Sequence, residues 1–339
     1  MAEPNPQPSD AIEESRQLLR SLESAAGQLA IQVAGGIVLD RDDDRRLRLL
    51  ETASGISLAG LEPPGMFDLS ALHQVHARCC DLLPSIREKL SSIAIGVCSV
   101  VAPNACLLRS AGSTAIAINA DLLAYLSFAN AILLSIHRAV VDHDTARFFK
   151  LLEAYAVLAH TSHGKDRHLL EDQIFAAAPE DYQRSGFILE AQLLFVVLHE
   201  VGHLGAPSGQ GRWFSMINSG IEGFEPSHEG EFAADQFAAS TLFCADNAAK
   251  VSTSLPFFGD TGPFRWKDLP YYTLTLFPLL DAMPIRRYKG LGKPLSHPAP
   301  MIRLKRILSD FRDTTEWHSR SIQDYLDRIA LLRTTFDVN

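Results

Sequence analysis

The sequence predicts an α+β chain, mostly helical, with a small sheet set among many helices. Three observations carry that prediction. Residues 92–97 and 114–119 are short segments rich in Ile, Val and Ala, with strand length and composition. Residues 187–198 are apolar almost throughout and contain no Gly or Pro, as a buried helix requires. Between and around these, most of the chain carries helix-like spacing with Pro and Gly as punctuation. A length of 339 residues with 47% hydrophobic content is enough for one large domain or two small ones around a sizeable core.

Taken from the amino terminus, residues 1–9 lack the basic and apolar regions of a signal peptide and read as a disordered tail. Residues 10–60 form an N-terminal helical region, with helices over 11–33 and 42–53. The second opens in Asp40-Arg41-Asp42-Asp43-Asp44, where acidic side chains favour a helix start. Pro63-Pro64-Gly65 marks a linker over 60–67. A helix over about 68–90 then leads into the strand 92–97 and a hairpin around Asn104-Ala105. Residues 124–185 are mostly helical and hold His137, His143, His160, His163 and His168. Glycines 209, 211, 220 and 223 make 205–224 a flexible loop, and residues 229–239 have the small and apolar spacing of a second packed helix. Pro298 opens a further helix. Residues 313–339 contain a C-terminal helix with Ile322, Tyr325, Leu326, Ile329 and Leu332 on one face, suited to packing on the core or on a partner.

Chemistry enters with His199-Glu200-Val201-Gly202-His203, an H-E-x-x-H motif at the end of the apolar helix. Residues four apart share a helix face, so two imidazoles can reach one metal while Glu200 projects beside them. Zinc lowers the pKa of water to roughly 7, and an adjacent carboxylate can take its proton as general base. A catalytic zinc usually has three protein ligands and an open position. A metzincin ligand is excluded, because Ala206 and Gly209 stand where that motif needs Gly and His. Glu231 and Asp235, four apart on the next helix, fit as third ligand and as a carboxylate orienting an imidazole from behind. Ala233 and Ala234 leave room for close helix approach. Glu222, Glu225, His228 and Glu229 are the competing candidates.

The order of these elements resembles the M48-type gluzincin metalloproteases, which include the heat-shock protease of the bacterial inner membrane and the CAAX-prenyl endoproteases. H-E-x-x-H is followed by Glu231-Phe232-x-Ala234-Asp235. Upstream, Asn104-Ala105 and the segment 114–123 are similar to that family's strand, turn, strand and helix start. Downstream, His297-Pro298 with Arg303 five residues later is similar to its His-Pro segment. The resemblance implies a zincin-like domain over 68–312, interrupted by a helical insertion at about 124–185 that acts as a lid or substrate selector. Its small sheet would have an edge strand bordering the zinc cleft. Thr114, Ala115, Ile116, Ala117 and Ile118 would then hold an extended peptide, with an ordinary core strand as the alternative. His297 would donate to the oxyanion or cap the helix before Pro298. Arg303 would pair with a buried carboxylate such as Asp235 or face solvent. The expected function is a zinc-dependent endopeptidase with one zinc per chain. A narrow-specificity regulatory protease of the Lit type and a non-catalytic metal-stabilised binding module stand as alternatives.

Composition narrows the partners. A formal net charge of −9 with no basic aromatic patch argues against nucleic acid. Five cysteines with no C-x-x-C pair read as reduced thiols of a cytoplasmic protein. Polar residues interrupt each apolar stretch before it reaches about 18 residues, so no membrane span is expected. The expected partner is a protein or peptide substrate.

Overall fold

Ala115, Ile116, Ala117 and Ile118 alternate in size rather than in polarity. All four are buried, so the strand they form is covered on both faces. The computed structural model describes residues 8–26, 32–33, 69–98, 105–110, 113–149, 151, 179–205, 210–216, 221–243, 250–251, 255, 257, 268–282 and 298–311. Among them are six strands in one mixed sheet: β1 (Gln32–Val33), β2 (Ala94–Cys98), β3 (Ala105–Ser110), β4 (Ser113–Asn119), β5 (Gly211–Met216) and β6 (Ile221–Pro226). Their spatial order is β1-β2-β4-β3-β6-β5, with β2 and β4 parallel and the other neighbours antiparallel. The helices are α1 (Pro8–Ala26), α2 (Leu69–Leu82), α3 (Arg87–Ser91), α4 (Ala120–Val141), α5 (Pro179–Leu204), α6 (His228–Phe243), α7 (Leu269–Leu274), α8 (Leu276–Ala282) and α9 (Pro300–Phe311). The α+β class and its helical bias are as the sequence predicts.

The chain divides into two compact units. The first comprises residues 1–124, 193–238 and 295–297, and so contains the sheet, α1 to α3, the end of α5 and most of α6. In it, Leu18 and Leu19 of α1 pack with Ala94, Leu108, Ala115 and Ala117, flanked by Ile12 and Cys106. The small Ala side of the alternation is thus the side that receives a helix. Ser15 ties the two parallel strands to α1: its hydroxyl accepts from the Ala94 N–H at 2.7 Å and donates to the Thr114 carbonyl. The second unit comprises residues 125–192, 239–294 and 298–339. Its described core includes Gln192 of α5, whose side-chain amide donates to Asn130 Oδ1, the Tyr272 carbonyl and Thr275 Oγ1 at 3.3, 3.2 and 2.9 Å. Asn130 returns a bond of 2.8 Å to Gln192 Oε1. A buried polar pair is thereby satisfied within the core instead of breaking it.

Residues 184–204 of α5 are long and apolar enough to cross a membrane by length and composition, and most of the stretch is buried inside the protein. Such burial is the mark of a core helix that is apolar all round.

Several expected elements differ. Residues 32–33, expected at the end of a helix, are the strand β1 beside β2. Helix α1 begins at Pro8, inside the expected tail, since proline fits a first helical turn. Nor is α1 part of a separate N-terminal region, because its apolar face belongs to the sheet's own core. The helix expected over 68–90 breaks at Leu83 before Pro84, where a proline disfavours helical geometry in the preceding residue, and resumes as a 3₁₀ turn and α3. The largest revision concerns 205–224. What reads as a glycine loop contains β5 and the start of β6, a hairpin paired from Gly211↔Pro226 to Met216↔Ile221. Gly211 is there for space: a Cβ would lie 2.3 Å from Phe224 Cζ. The expected helix 42–53, the linker 60–67, His160, His163, His168, His297 and residues 313–339 lie outside the described residues.

Candidate metal centre

Helix α5 ends in the two histidines, and α6 begins with the carboxylates that meet them. A glycine sets the distance between the two helices. A Cβ on Gly202 would lie 3.0 Å from the Ala234 Cα and 3.2 Å from its Cβ, so α5 and α6 touch almost backbone to backbone. Of the two alanines expected to permit this, Ala234 does so, while Ala233 is exposed. The start of α6 is pinned as well. Ser227 caps it by accepting from the Gly230 N–H at 3.1 Å, and the Ser227 N–H donates to the Gln210 carbonyl at 2.7 Å. Gly230 is obligatory there, since a Cβ would come within 2.2 Å of the Gln210 oxygen. The next residue is Glu231.

With the helices fixed this way, three donors converge. His199 Nε2 and His203 Nε2 lie 3.1 Å apart, with Glu231 Oε2 at 3.5 Å from the first and Oε1 at 3.8 Å from the second. The three residues offer ligand atoms within 4.8 Å of one another, and all are buried. His199 Nδ1 lies 2.9 Å from Asp235 Oδ1. Donation of that N–H to the carboxylate leaves Nε2 as the lone-pair nitrogen facing the cluster. Two imidazole nitrogens and a carboxylate oxygen form a donor set that suits a first-row divalent ion, and the group can hold a metal ion. Glu200 is buried at 4% exposure on the same helix turn as His199.

Other expected residues fall elsewhere. Glu222 and Glu225 sit on β6, where they accept from Arg109 Nε and Arg212 Nε, each at 2.5 Å, and His228 and Glu229 are exposed. Arg303 is buried on α9 with its guanidinium 5.4 Å from the Phe277 ring centroid, so it does not face solvent. Thr114, Ala115, Ile116, Ala117 and Ile118 are not an edge strand. β4 lies between β2 and β3, its main chain is paired on both sides over Ala115–Ile118, and the Thr114 carbonyl is taken by Ser15. An extended peptide finds no free ladder there, and the ordinary core strand is the reading that holds.

Sequence reasoning missed the hairpin beside the cluster. Phe224 on β6 lies with its ring centroid 5.3 Å from that of His203, and Trp213 on β5 packs against Phe224 at 5.2 Å. The strand-favouring Trp213, Phe214, Ile221 and Phe224 were the available signal, but five glycines in the twenty residues 205–224 masked it. No family model matches the chain, and no curated protein or solved structure was found to match it.

Proposed function

We propose that this chain is a zinc-dependent endopeptidase with one zinc per chain, a zincin-like enzyme of the gluzincin kind. The observation that carries the proposal is the spacing of the three donors. Ligand atoms about 2.0–2.2 Å from a tetrahedral zinc keep roughly 3.3–3.6 Å from one another; the two Nε2 atoms lie 3.1 Å apart, Glu231 has Oε2 3.5 Å from His199 and Oε1 3.8 Å from His203, and one ligand atom from each residue fits within 4.8 Å. Catalytic zinc takes three protein ligands and keeps a fourth position for water or substrate, whereas structural sites are closed by four; among the described residues three such groups meet here.

When bound, zinc supplies a Lewis acid and makes water acidic enough to ionise near pH 7. The remaining work belongs to the chain. Glu200 accepts the proton of the attacking water and hands it to the departing amine, acting as base and then as acid. Asp235 keeps His199 in the tautomer that faces inward. Burial of Glu200, His199, His203 and Glu231 excludes bulk water and strengthens each of these charge interactions. The choice of a peptide bond among amides follows the motif resemblance, in which His297 would donate to the developing oxyanion.

The test combines zinc analysis with a search for cleavage products by mass spectrometry in a peptide library. Wild type and Glu200→Gln should each carry one zinc, and Glu231→Ala should carry little. Cleavage should fall by about 10²- to 10⁴-fold in Glu200→Gln. A wild-type chain without zinc after supplementation would sink the metal reading, and equal cleavage by Glu200→Gln would remove the general base.

A further inference from the structure

We infer that Phe224 is a positioning residue for His203, and that an ion pair at the protein surface holds Phe224 in place. The inference rests on the metal reading and deepens it, because it concerns what orients the second histidine. For the first, Asp235 performs that task by a hydrogen bond. The ring of His203 has an aromatic neighbour on the hairpin: Phe224, tilted 50° to it at 5.3 Å between centroids.

Phe224 is itself confined. Its ring fills the space that a side chain at Gly211 would occupy, with a Cβ there falling 2.3 Å from Cζ and 2.9 Å from Cε1. Trp213 packs on it at 5.2 Å and 59°. The guanidinium of Arg109 lies over the Trp213 ring at 4.1 Å from its centroid, and Arg109 Nε donates to Glu222 Oε2 at 2.5 Å. Arg109 and Glu222 are also register partners, and among the described residues the β3–β6 ladder has two such pairs, Leu108↔Gly223 and Arg109↔Glu222. The hairpin is therefore fastened to the rest of the sheet at the same point where the clamp sits. A contiguous chain of contacts runs from the exposed Glu222–Arg109 pair through Trp213 and Phe224 to a metal-ligating ring. Loosening its outer end lets Phe224 withdraw and frees the His203 ring to turn about its Cβ–Cγ bond, away from the geometry that places Nε2 in the cluster.

The experiment measures zinc affinity by competition with a chromophoric chelator, and the visible absorption of the cobalt-loaded protein. It compares wild type with Phe224→Leu, Phe224→Tyr, Arg109→Ala and the double variant Phe224→Leu/Arg109→Ala. Phe224→Leu, which keeps apolar volume but lacks a planar ring, should weaken zinc about tenfold and shift the cobalt bands, as loss of an orienting neighbour does. Phe224→Tyr should restore both. Arg109→Ala, far from the ligands, should weaken zinc about two- to fivefold, the scale of an exposed cation–π contact, and should add nothing once Phe224 is leucine. Unchanged affinity and spectrum in Phe224→Leu would overturn the positioning role. Fully additive losses in the double variant would overturn the link to the surface. A wild-type chain that binds neither zinc nor cobalt would sink the metal reading, and this inference with it.

Discussion

His199 can give one nitrogen to the cluster because Asp235 takes the other. That division of labour was legible in the sequence, since the four-residue spacings 199/203 and 231/235 each put two groups on one helix face. The position of the competing acids was not legible. Glu222 and Glu225 are excluded by Arg109 and Arg212, partners that only the sheet register supplies. Asp235→Asn keeps the shape of the side chain but can offer its amide to His199 and so favour the wrong tautomer. Zinc affinity should fall about tenfold or more, measured by the same chelator competition. An affinity equal to that of wild type would show that the His199 ring is oriented by other contacts.

Between elements, the decisive quantity is the separation of α5 and α6. A Cβ added at Gly202 would meet Ala234 at a distance tighter than ordinary side-chain contact. Gly202→Ala should be tolerated at the cost of a few tenths of an ångström. Gly202→Val should force the helices apart, destabilise the protein by about 1–3 kcal/mol and draw Glu231 away from the histidines. Thermal unfolding and zinc stoichiometry measured together test this, and a valine variant with full zinc would refute the spacing argument. The apolar run of α5 and the small and apolar spacing of α6 made those helices readable in advance, whereas the β3–β4 pairing was expected from the motif resemblance together with the Ile- and Ala-rich composition of 114–119. The short elements α7 and α8 and the hairpin β5–β6 escaped, because Pro and Gly inside them resemble punctuation when their tertiary neighbours are unknown. The edge-strand error has a similar root. Segment 114–119 looks the same at an edge as in the interior, and β1, a strand of only two residues, gave no signal of its own.

On the scale of the whole molecule, each unit carries a weak acid held partly or wholly out of water, Cys79 buried and Tyr272 partly buried. Burial raises the Cys79 thiol far above its ordinary value of 9.0. In the other unit, burial first, then the neighbouring Tyr271 and Asp268, push the Tyr272 phenol up from 10.0 to about 12. Both groups are raised in the folded state, so the unfolded chain releases their protons first. Each contribution to stability is complete well below the group's ordinary value and is lost as pH rises, from 9.0 upward for the thiol and between 10 and about 12 for the phenol. Tyr272 should account for on the order of 1 kcal/mol by pH 11. Urea midpoints should therefore drop between pH 8 and pH 11, and drop less in Tyr272→Phe. Parallel curves for the two proteins would show that the phenol ionises equally in both states.

The order in which this sheet is gathered along the chain has a consequence for how the protein comes into being. Ser15 must wait for Ala94 and Thr114, and Arg109 must wait for Glu222, more than a hundred residues later. Pairings so distant in sequence fold slowly. During synthesis the face of β4 and β3 that α1 covers can close early, but β3 keeps an open ladder until β6 has left the ribosome. Glu231 emerges a few residues after that strand. On the metal reading, an ion can be captured only once both histidines, β6 and Glu231 are in place, so that uptake would report on assembly of the sheet-bearing unit and would not initiate it.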